Sequence, residues 1–254
     1  MEIAGRAAIV TGGGTGCGAA TALRLAEQGA DVLVNYSRSA DAAEAVAERA
    51  RKHGVRALAF RADVAADADC RAMVDAAVRE FGRLDILVNN AGTTRFVNHD
   101  DLEAMDGETW DEIMAVNLRG PFQCTRAARS ALAVRGGEVV MTSSVAGLVG
   151  MGSSIAYCAS KAGLNNLVIT LARVLGPQNV RVNAVAPGFI DGEWLREGFG
   201  DRFEAIRTLY EGKAPLGRVC TPDEVAHQIV AVITGSDLMT GHVIPLEGGA
   251  LISI

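Results

Sequence analysis

At 254 residues the chain is long enough for one large α/β domain and short of two full ones, so residues 1–254 are read as a single domain. Hydrophobic residues make up 49% of it and charged residues 21%, a balance that builds a buried core and excludes a disordered chain. The formal net charge of −6 provides no chain-wide attraction to nucleic acid or to an anionic membrane surface, which leaves small molecules as the expected partners.

Taken in order, short apolar runs alternate with longer segments rich in Ala, Leu, Arg and Glu. Strands are expected at 7–10, 32–35, 57–60, 86–88, 138–142, 181–184 and 242–245. Helices are expected at 16–28, 40–53, 67–81, 109–133, 154–175 and 223–234. Most of the strands are apolar throughout instead of alternating, as strands covered on both faces should be. With right-handed crossovers the pattern predicts an α/β fold: one doubly wound parallel sheet of about seven strands with helices on both faces.

Between 139 and 160 no residue is charged, a length that would suit a membrane span. Thr142, Ser143, Ser144, Ser153, Ser154 and the glycines at 147, 150 and 152 interrupt it, so no membrane helix is expected. Residues 1–10 hold Glu2, Arg6 and only a brief apolar run, which does not read as a secretory leader. Cys17, Cys70, Cys124, Cys158 and Cys220 are scattered and show no C-x-x-C or metal spacing, which predicts reduced thiols in the cytoplasm. His53, His99, His227 and His242 show no ligand spacing, H-E-x-x-H is absent, and Ser153 and Ser154 lie outside any G-x-S-x-G elbow. No metal site and no serine-hydrolase chemistry are expected.

Two features carry chemistry. The first is Thr11-Gly12-Gly13-Gly14-Thr15-Gly16-Cys17-Gly18, at the turn from the first strand into the first helix. Glycines there let backbone N–H groups approach a diphosphate at a helix N-terminus, whose dipole favours the anion. The spacing is G-x-x-x-G-x-G, so the G-x-G-x-x-G fingerprint is not met, and Ala19-Ala20 stand where a P-loop needs Lys followed by Ser or Thr. Taken alone, the run also fits a flexible glycine turn. The second is Tyr157 and Lys161, four residues apart and therefore on one helix face. A nearby ammonium favours phenolate and makes a tyrosine usable in acid-base chemistry, although the pair also arises by chance on exposed helices.

In combination these residues resemble the short-chain dehydrogenase/reductase family, with landmarks in order from residue 7 to about residue 249. Asn89-Asn90-Ala91-Gly92 follows the fourth strand, Asn117 lies in the next helix, Ser144 precedes Tyr157-x-x-x-Lys161, and Pro187-Gly188 ends the sixth strand. The resemblance implies a Rossmann-type NAD(P)-binding catalytic domain and a catalytic tetrad of Asn117, Ser144, Tyr157 and Lys161. In those roles Tyr157 exchanges a proton with the substrate oxygen, and Ser144 donates a hydrogen bond to it. Lys161 favours the phenolate and binds the nicotinamide ribose, and Asn117 positions a water that relays protons.

The same resemblance implies cofactor contacts at Gly12, Gly14, Thr15, Gly16 and Cys17. It also implies adenine contacts from Asp63 and Val64, contacts to the adenosine ribose from Asn90, Ala91 and Gly92, and nicotinamide contacts from Tyr157, Lys161, Pro187, Gly188 and Ile190. At the end of the second strand stand Tyr36, Ser37 and Arg38, where NAD-dependent members place an acid. An arginine without that carboxylate favours NADP(H). Thr15, where NADP(H)-preferring members often carry a base, keeps NAD possible. Family members usually have a threonine after the Pro-Gly pair, whereas this chain reads Phe189-Ile190-Asp191-Gly192, so Asp191 or a backbone group is expected to take over the carboxamide contact.

Residues 193–212, with Trp194, Phe199, Phe203 and Tyr210, are expected either to close over the substrate or to pack as a surface helix. Among members of the family the chain is most similar to 3-oxoacyl-[acyl-carrier-protein] reductases. The expectation is an NADP(H)-dependent oxidoreductase acting on a carbonyl or secondary alcohol. An NAD-dependent alcohol, polyol or sugar dehydrogenase and a catalytically silent nucleotide-binding sensor stand as alternatives. Docking of a carrier protein would need a basic patch, for which Arg126, Arg129, Arg135 and Arg173 are partial candidates. The helices at 117–133 and 155–175 match those that pair subunits in the family, which implies a homotetramer or a homodimer.

Overall fold

The computed structural model describes residues 1–253. Seven strands form one sheet: β1 (Ala7–Val10), β2 (Asp31–Tyr36), β3 (Ala57–Arg61), β4 (Ile86–Asn89), β5 (Gly137–Thr142), β6 (Val180–Pro187) and β7 (Val243–Leu246). All pair in parallel, in the order β3-β2-β1-β4-β5-β6-β7. The doubly wound sheet expected from the apolar runs is therefore the one observed. Side chains alternate across β1, which shows how both faces become buried: Ala7 and Ile9 enter one hydrophobic core, Ala8 and Val10 the other.

The first core lies under α3 (Asp67–Phe81) and, after the connection that crosses back, under the helices that follow β4 and β5. The second lies under α1 (Gly16–Glu27), α2 (Ala40–Arg51) and the last long helix. Reversal of the winding direction between β1 and β4 opens a crevice at the carboxyl ends of the strands.

The single helix expected over 109–133 is divided. α4 (Gly107–Met114) runs into a π-helical stretch, Ala115–Arg119, before α5 (Gly120–Ala133) resumes. Pro121 accounts for the break: it has no N–H to meet the carbonyl of Asn117 four residues earlier, so the α ladder cannot pass through. The uncharged run from 139 also resolves into separate pieces, namely β5, the short α6 (Ala146–Val149) and the start of α7 (Ile155–Leu175). Among the described residues no helix is long and apolar enough to cross a membrane. The segment expected to cover the substrate is two helices, α8 (Glu193–Phe199) and α9 (Phe203–Lys213), and α10 (Pro222–Thr234) then returns to the sheet with a Thr221/Glu224 capping box.

Buried charge gathers at the opposite, amino-terminal edge of the sheet. Asp85 is 1% exposed, accepts the Ala7 N–H at 2.9 Å, and is paired with Arg83 at 2.6 Å and Arg6 at 3.4 Å. Glu138 of β5 faces Arg181 of β6 at 2.7 Å. Each carboxylate thus meets partners from neighbouring strands or their entry loops, as a buried charge requires.

Candidate active site

The glycine turn after β1 is fixed from two sides. Asn35 of β2 is buried; its Oδ1 accepts the Gly12 N–H at 3.2 Å, its carbonyl accepts the Gly13 N–H at 2.8 Å, and its Nδ2 donates to the Ala62 carbonyl at 3.0 Å. From the other side the Thr11 hydroxyl accepts the N–H groups of Asn90 and Ala91 at 2.9 and 3.0 Å, while Asn90 Nδ2 donates to the carbonyls of Thr11 and Gly12. The Asn90 side chain is therefore spent on holding the turn, and its expected place against a ribose is left to the Asn90 backbone and to the exposed Gly92. Asn35 was not expected in the site, and Thr11 was expected only as the start of the glycine turn; the one available signal for Asn35 was an asparagine following the apolar run 32–34.

Gly12 and Gly16 adopt φ of +59° and +51°. At Gly12 a Cβ would come within 3.0 Å of Ala91, whereas at Gly16 it would meet nothing, because that position faces open space at the head of α1. Thr15 caps α1 by backbone alone, Cys17 lies in the first turn, and that turn carries no acidic residue. A helix N-terminus without a side-chain cap, with open space at Gly16 and Gly14 packed down against α2, fits the diphosphate of a dinucleotide.

The remaining candidates line the same rim of the sheet. Tyr36 ends β2, with Ser37 exposed and Arg38 83% exposed, Arg38 making only a loose 3.7 Å contact to Glu112. Asp63 is exposed beyond β3 and accepts the Ala65 N–H, and the buried Val64 follows it. Pro187 ends β6, and Gly188 donates to the Leu246 carbonyl. Ile190 sits in a single parallel bridge to Cys220.

Asp191 has both its oxygens engaged by the two following helices, with Arg196 at 2.5 Å and Arg207 at 3.4 Å, so of the two groups expected to meet a carboxamide the backbone of this turn is the less encumbered.

Tyr157 lies in the first turn of α7, where Ser154 caps the helix by accepting the Tyr157 N–H at 3.2 Å. Four residues on, Lys161 projects from the same face with its ammonium 5.6 Å from the Tyr157 ring centroid, and it donates to the Thr142 carbonyl at 2.7 Å. The ammonium lies over the phenol ring, and burial rather than the lysine decides how Tyr157 titrates. Burial pushes the phenol up to about 12, against the opposing pull of the Ser144 hydroxyl. Burial also brings Lys161 down to about 8.

Asn117 is fully buried in the π-helical stretch. Its Oδ1 accepts the Thr93 N–H at 2.8 Å, and its Nδ2 donates to the Thr93 carbonyl at 2.9 Å and to Ser160 Oγ at 3.2 Å. Ser160 in turn donates to the Tyr157 carbonyl at 2.7 Å. Gly92 closes the group: a Cβ there would lie 3.5 Å from Asn117 Oδ1 and 3.9 Å from Lys161 Nζ. Asn117, Ser144, Tyr157 and Lys161 thus converge beside the glycine turn.

Above them Trp194 stands edge-on to Tyr157, ring centroids 6.1 Å apart. Phe189 packs against Phe199, Phe203 and Tyr210, and Phe199 meets Phe96 at 5.0 Å. Among the described residues no cluster of His, Cys, Asp or Glu has the makings of a metal site.

Comparison with known proteins points the same way as this geometry. Residues 12–250 match a family model described as enoyl-(acyl carrier protein) reductase. A protein of Streptomyces violaceoruber named ketoacyl reductase 2 of the granaticin polyketide synthase is 43% identical over 244 residues, covering 96% of this chain and 95% of that one. The 3-oxoacyl-[acyl-carrier-protein] reductase of Staphylococcus aureus is 37% identical over 246 residues, 96% of this chain and 97% of its own. A crystal structure from Burkholderia xenovorans, described as a short-chain dehydrogenase/reductase, superposes with a TM-score of 0.89 at 39% identity, over 97% of this chain and 98% of that one.

Proposed function

Because the chain belongs to the short-chain dehydrogenase/reductase family of oxidoreductases, we propose that it reduces the carbonyl of a 3-oxoacyl-like substrate to a secondary alcohol, with NADPH as the preferred cofactor. The observation that carries this reading is the buried Tyr157 phenol, flanked by Ser144 and Lys161, at the rim where the glycine turn opens.

When bound, the nicotinamide supplies the hydride for reduction, or accepts it in the reverse reaction. Gly12, Gly14, Gly16 and the first-turn N–H groups of α1 would hold the diphosphate, Asp63 and Val64 would meet the adenine, and Ile190 and the 187–188 backbone would meet the nicotinamide. As negative charge grows on the substrate oxygen, Ser144 Oγ donates a hydrogen bond to it and Tyr157 Oη delivers a proton. Burial holds the phenol in the protonated form from which delivery starts. The Lys161 ammonium steadies the phenolate that delivery leaves behind, and a proton from solvent, by the route that Asn117 shapes in holding the loop at Thr93, restores the phenol.

Arg38, exposed and without an acid in close contact, supports a 2′-phosphate partner at the end of β2. Thr15 supports the second reading, an NAD-dependent alcohol or polyol dehydrogenase, since the turn itself brings no cation. The whole chain acts as one catalytic domain. Its five cysteines, all free, fit a reducing compartment such as the cytoplasm.

The purified protein should consume NADPH when given a 3-oxoacyl thioester, and NADH more slowly. Arg38→Ala should raise KM for NADPH about 10-fold or more, the worth of a charge-assisted hydrogen bond, and leave KM for NADH nearly unchanged. Equal effects on both cofactors would refute the NADPH assignment. Inertness towards a broad panel of carbonyls and alcohols would refute the reaction.

A further inference from the structure

Beyond Tyr157 and Lys161, the next residue at four-residue spacing on the same face of α7 is Asn165, a side chain that the reaction derived above leaves unused. Its amide reaches across to the turn between β5 and α6, where Ser144 stands. Ser143 Oγ donates to Asn165 Oδ1 at 2.5 Å, and Asn165 Nδ2 donates to the Gly147 carbonyl at 3.2 Å. A carbonyl oxygen can only accept, so the amide nitrogen must face Gly147 and the amide oxygen must face the serine. One side chain thus grips both ends of the segment 143–147.

Neither grip falls on a slack point. Ser143 is 3% exposed and gives its N–H to the Val185 carbonyl at 2.8 Å; without Asn165 its hydroxyl would lose its acceptor inside the protein. Gly147 lies against the backbone of α7, where a Cβ would come within 2.5 Å of the Lys161 carbonyl carbon and 2.7 Å of the Ala162 nitrogen. Between the grips, Ser144 Oγ accepts the Ala146 N–H at 3.1 Å and the Ser144 carbonyl accepts the Gly147 N–H at 3.0 Å. With its oxygen occupied inside the turn, the hydroxyl keeps its hydrogen for a partner outside it, the Tyr157 phenol or the substrate oxygen.

We propose that Asn165 is a positioning residue: on the carbonyl-reductase reading above, it fixes the Ser144 hydroxyl relative to Tyr157 by tying the 143–147 turn to the helix that carries the phenol. Both donors to the substrate oxygen are then referenced to α7. Such a tether matters because misplacing a reacting group by about 1 Å costs on the order of 100-fold in rate.

The test is a double-mutant cycle on the reduction of ethyl acetoacetate, a 3-oxoacyl ester, by NADPH. Asn165→Leu should lower kcat roughly 10- to 100-fold and leave Kd for NADPH within about 2-fold of the native value. In a Ser144→Ala background the same substitution should cost less than about 3-fold, because no hydroxyl remains to be placed. Ser143→Ala releases one grip from the opposite side and should lower kcat about 3- to 10-fold; it takes the place of Asn165→Leu in the cycle if that variant does not bind NADPH. Independently of turnover, amide hydrogen exchange at residues 145–149 should quicken in Asn165→Leu.

Equal kcat losses in the native and Ser144→Ala backgrounds, or a native kcat in Asn165→Leu, overturn the assignment and leave the reductase reading standing. If the native protein reduces no ketone, that reading falls and hydrogen exchange decides for Asn165: quickened exchange supports the tether, unchanged exchange removes it.

Discussion

Burial acts on the two central side chains in opposite senses, raising the Tyr157 phenol to about 12 and lowering the Lys161 ammonium to about 8. Each group is thereby driven towards its uncharged form, the cheaper one in a site sealed from water. The phenol is therefore protonated across the physiological range, the form from which the proposed reduction starts. Tyr157→Phe should bind NADPH as the native protein does, yet lose roughly 100- to 10,000-fold in kcat, because only the proton exchange is removed. A near-native kcat in that variant would remove Tyr157 from its role. Lys161 sets a different boundary. Its charged form prevails below about 8 and is lost above, so kcat/KM for the dinucleotide, which reports the free enzyme, should stay level at lower pH and decline through about 8. A profile level well into the alkaline range would show that turnover does not need the ammonium.

At the level of elements, the glycine turn is held by strands on both sides, and Asn35 is the part that reaches across from β2. Asn35→Ala would leave the Gly12 N–H and the Ala62 carbonyl without these partners, at a cost of about 1–3 kcal/mol for buried polar groups. A lowered Tm together with a weaker Kd for NADPH should follow. An unchanged Kd would mean that the turn keeps its shape without that brace. The turn itself was legible in the sequence because glycine positions announce themselves, as were most of the strands, whose apolar runs reflect burial on both faces. Tyr157 and Lys161 were legible as a pair because a four-residue spacing fixes a shared helix face. Other features depended on partners distant in the chain. Nothing near Asp191 reveals that Arg196 and Arg207 will claim it, nor does Asn90 reveal that its amide will be spent on Thr11 and Gly12. The break at Asn117 could be traced to Pro121, but a strong helical pattern on both sides of it concealed the π-helical stretch, and α6 is too short for periodicity to mark.

Over the whole molecule, α7 and the stretch from α4 into α5 leave an open groove in which Met114, Leu118, Leu167 and the 38% exposed Phe122 stand among Asp111, Arg119, Asn166 and Thr170. Gly163 of α7 packs closely on Leu118 of the π-helical stretch, where an added Cβ would meet the leucine at 3.0 Å. Apolar surface of this kind supports self-association, and we expect a homotetramer or homodimer built on these helices. Light scattering should report such a species, and Phe122→Asp should shift it to a smaller one. A native protein that stays monomeric at every concentration would contradict this.

The sheet also sorts its burdens by direction. Every group assigned to chemistry stands where strands end, whereas the sequestered ion pairs of Asp85 and Glu138 stand where strands begin. Selection for heat tolerance can therefore work at one margin of the molecule while selection for a new substrate reshapes the other, and a lineage can change either trait without undoing its partner.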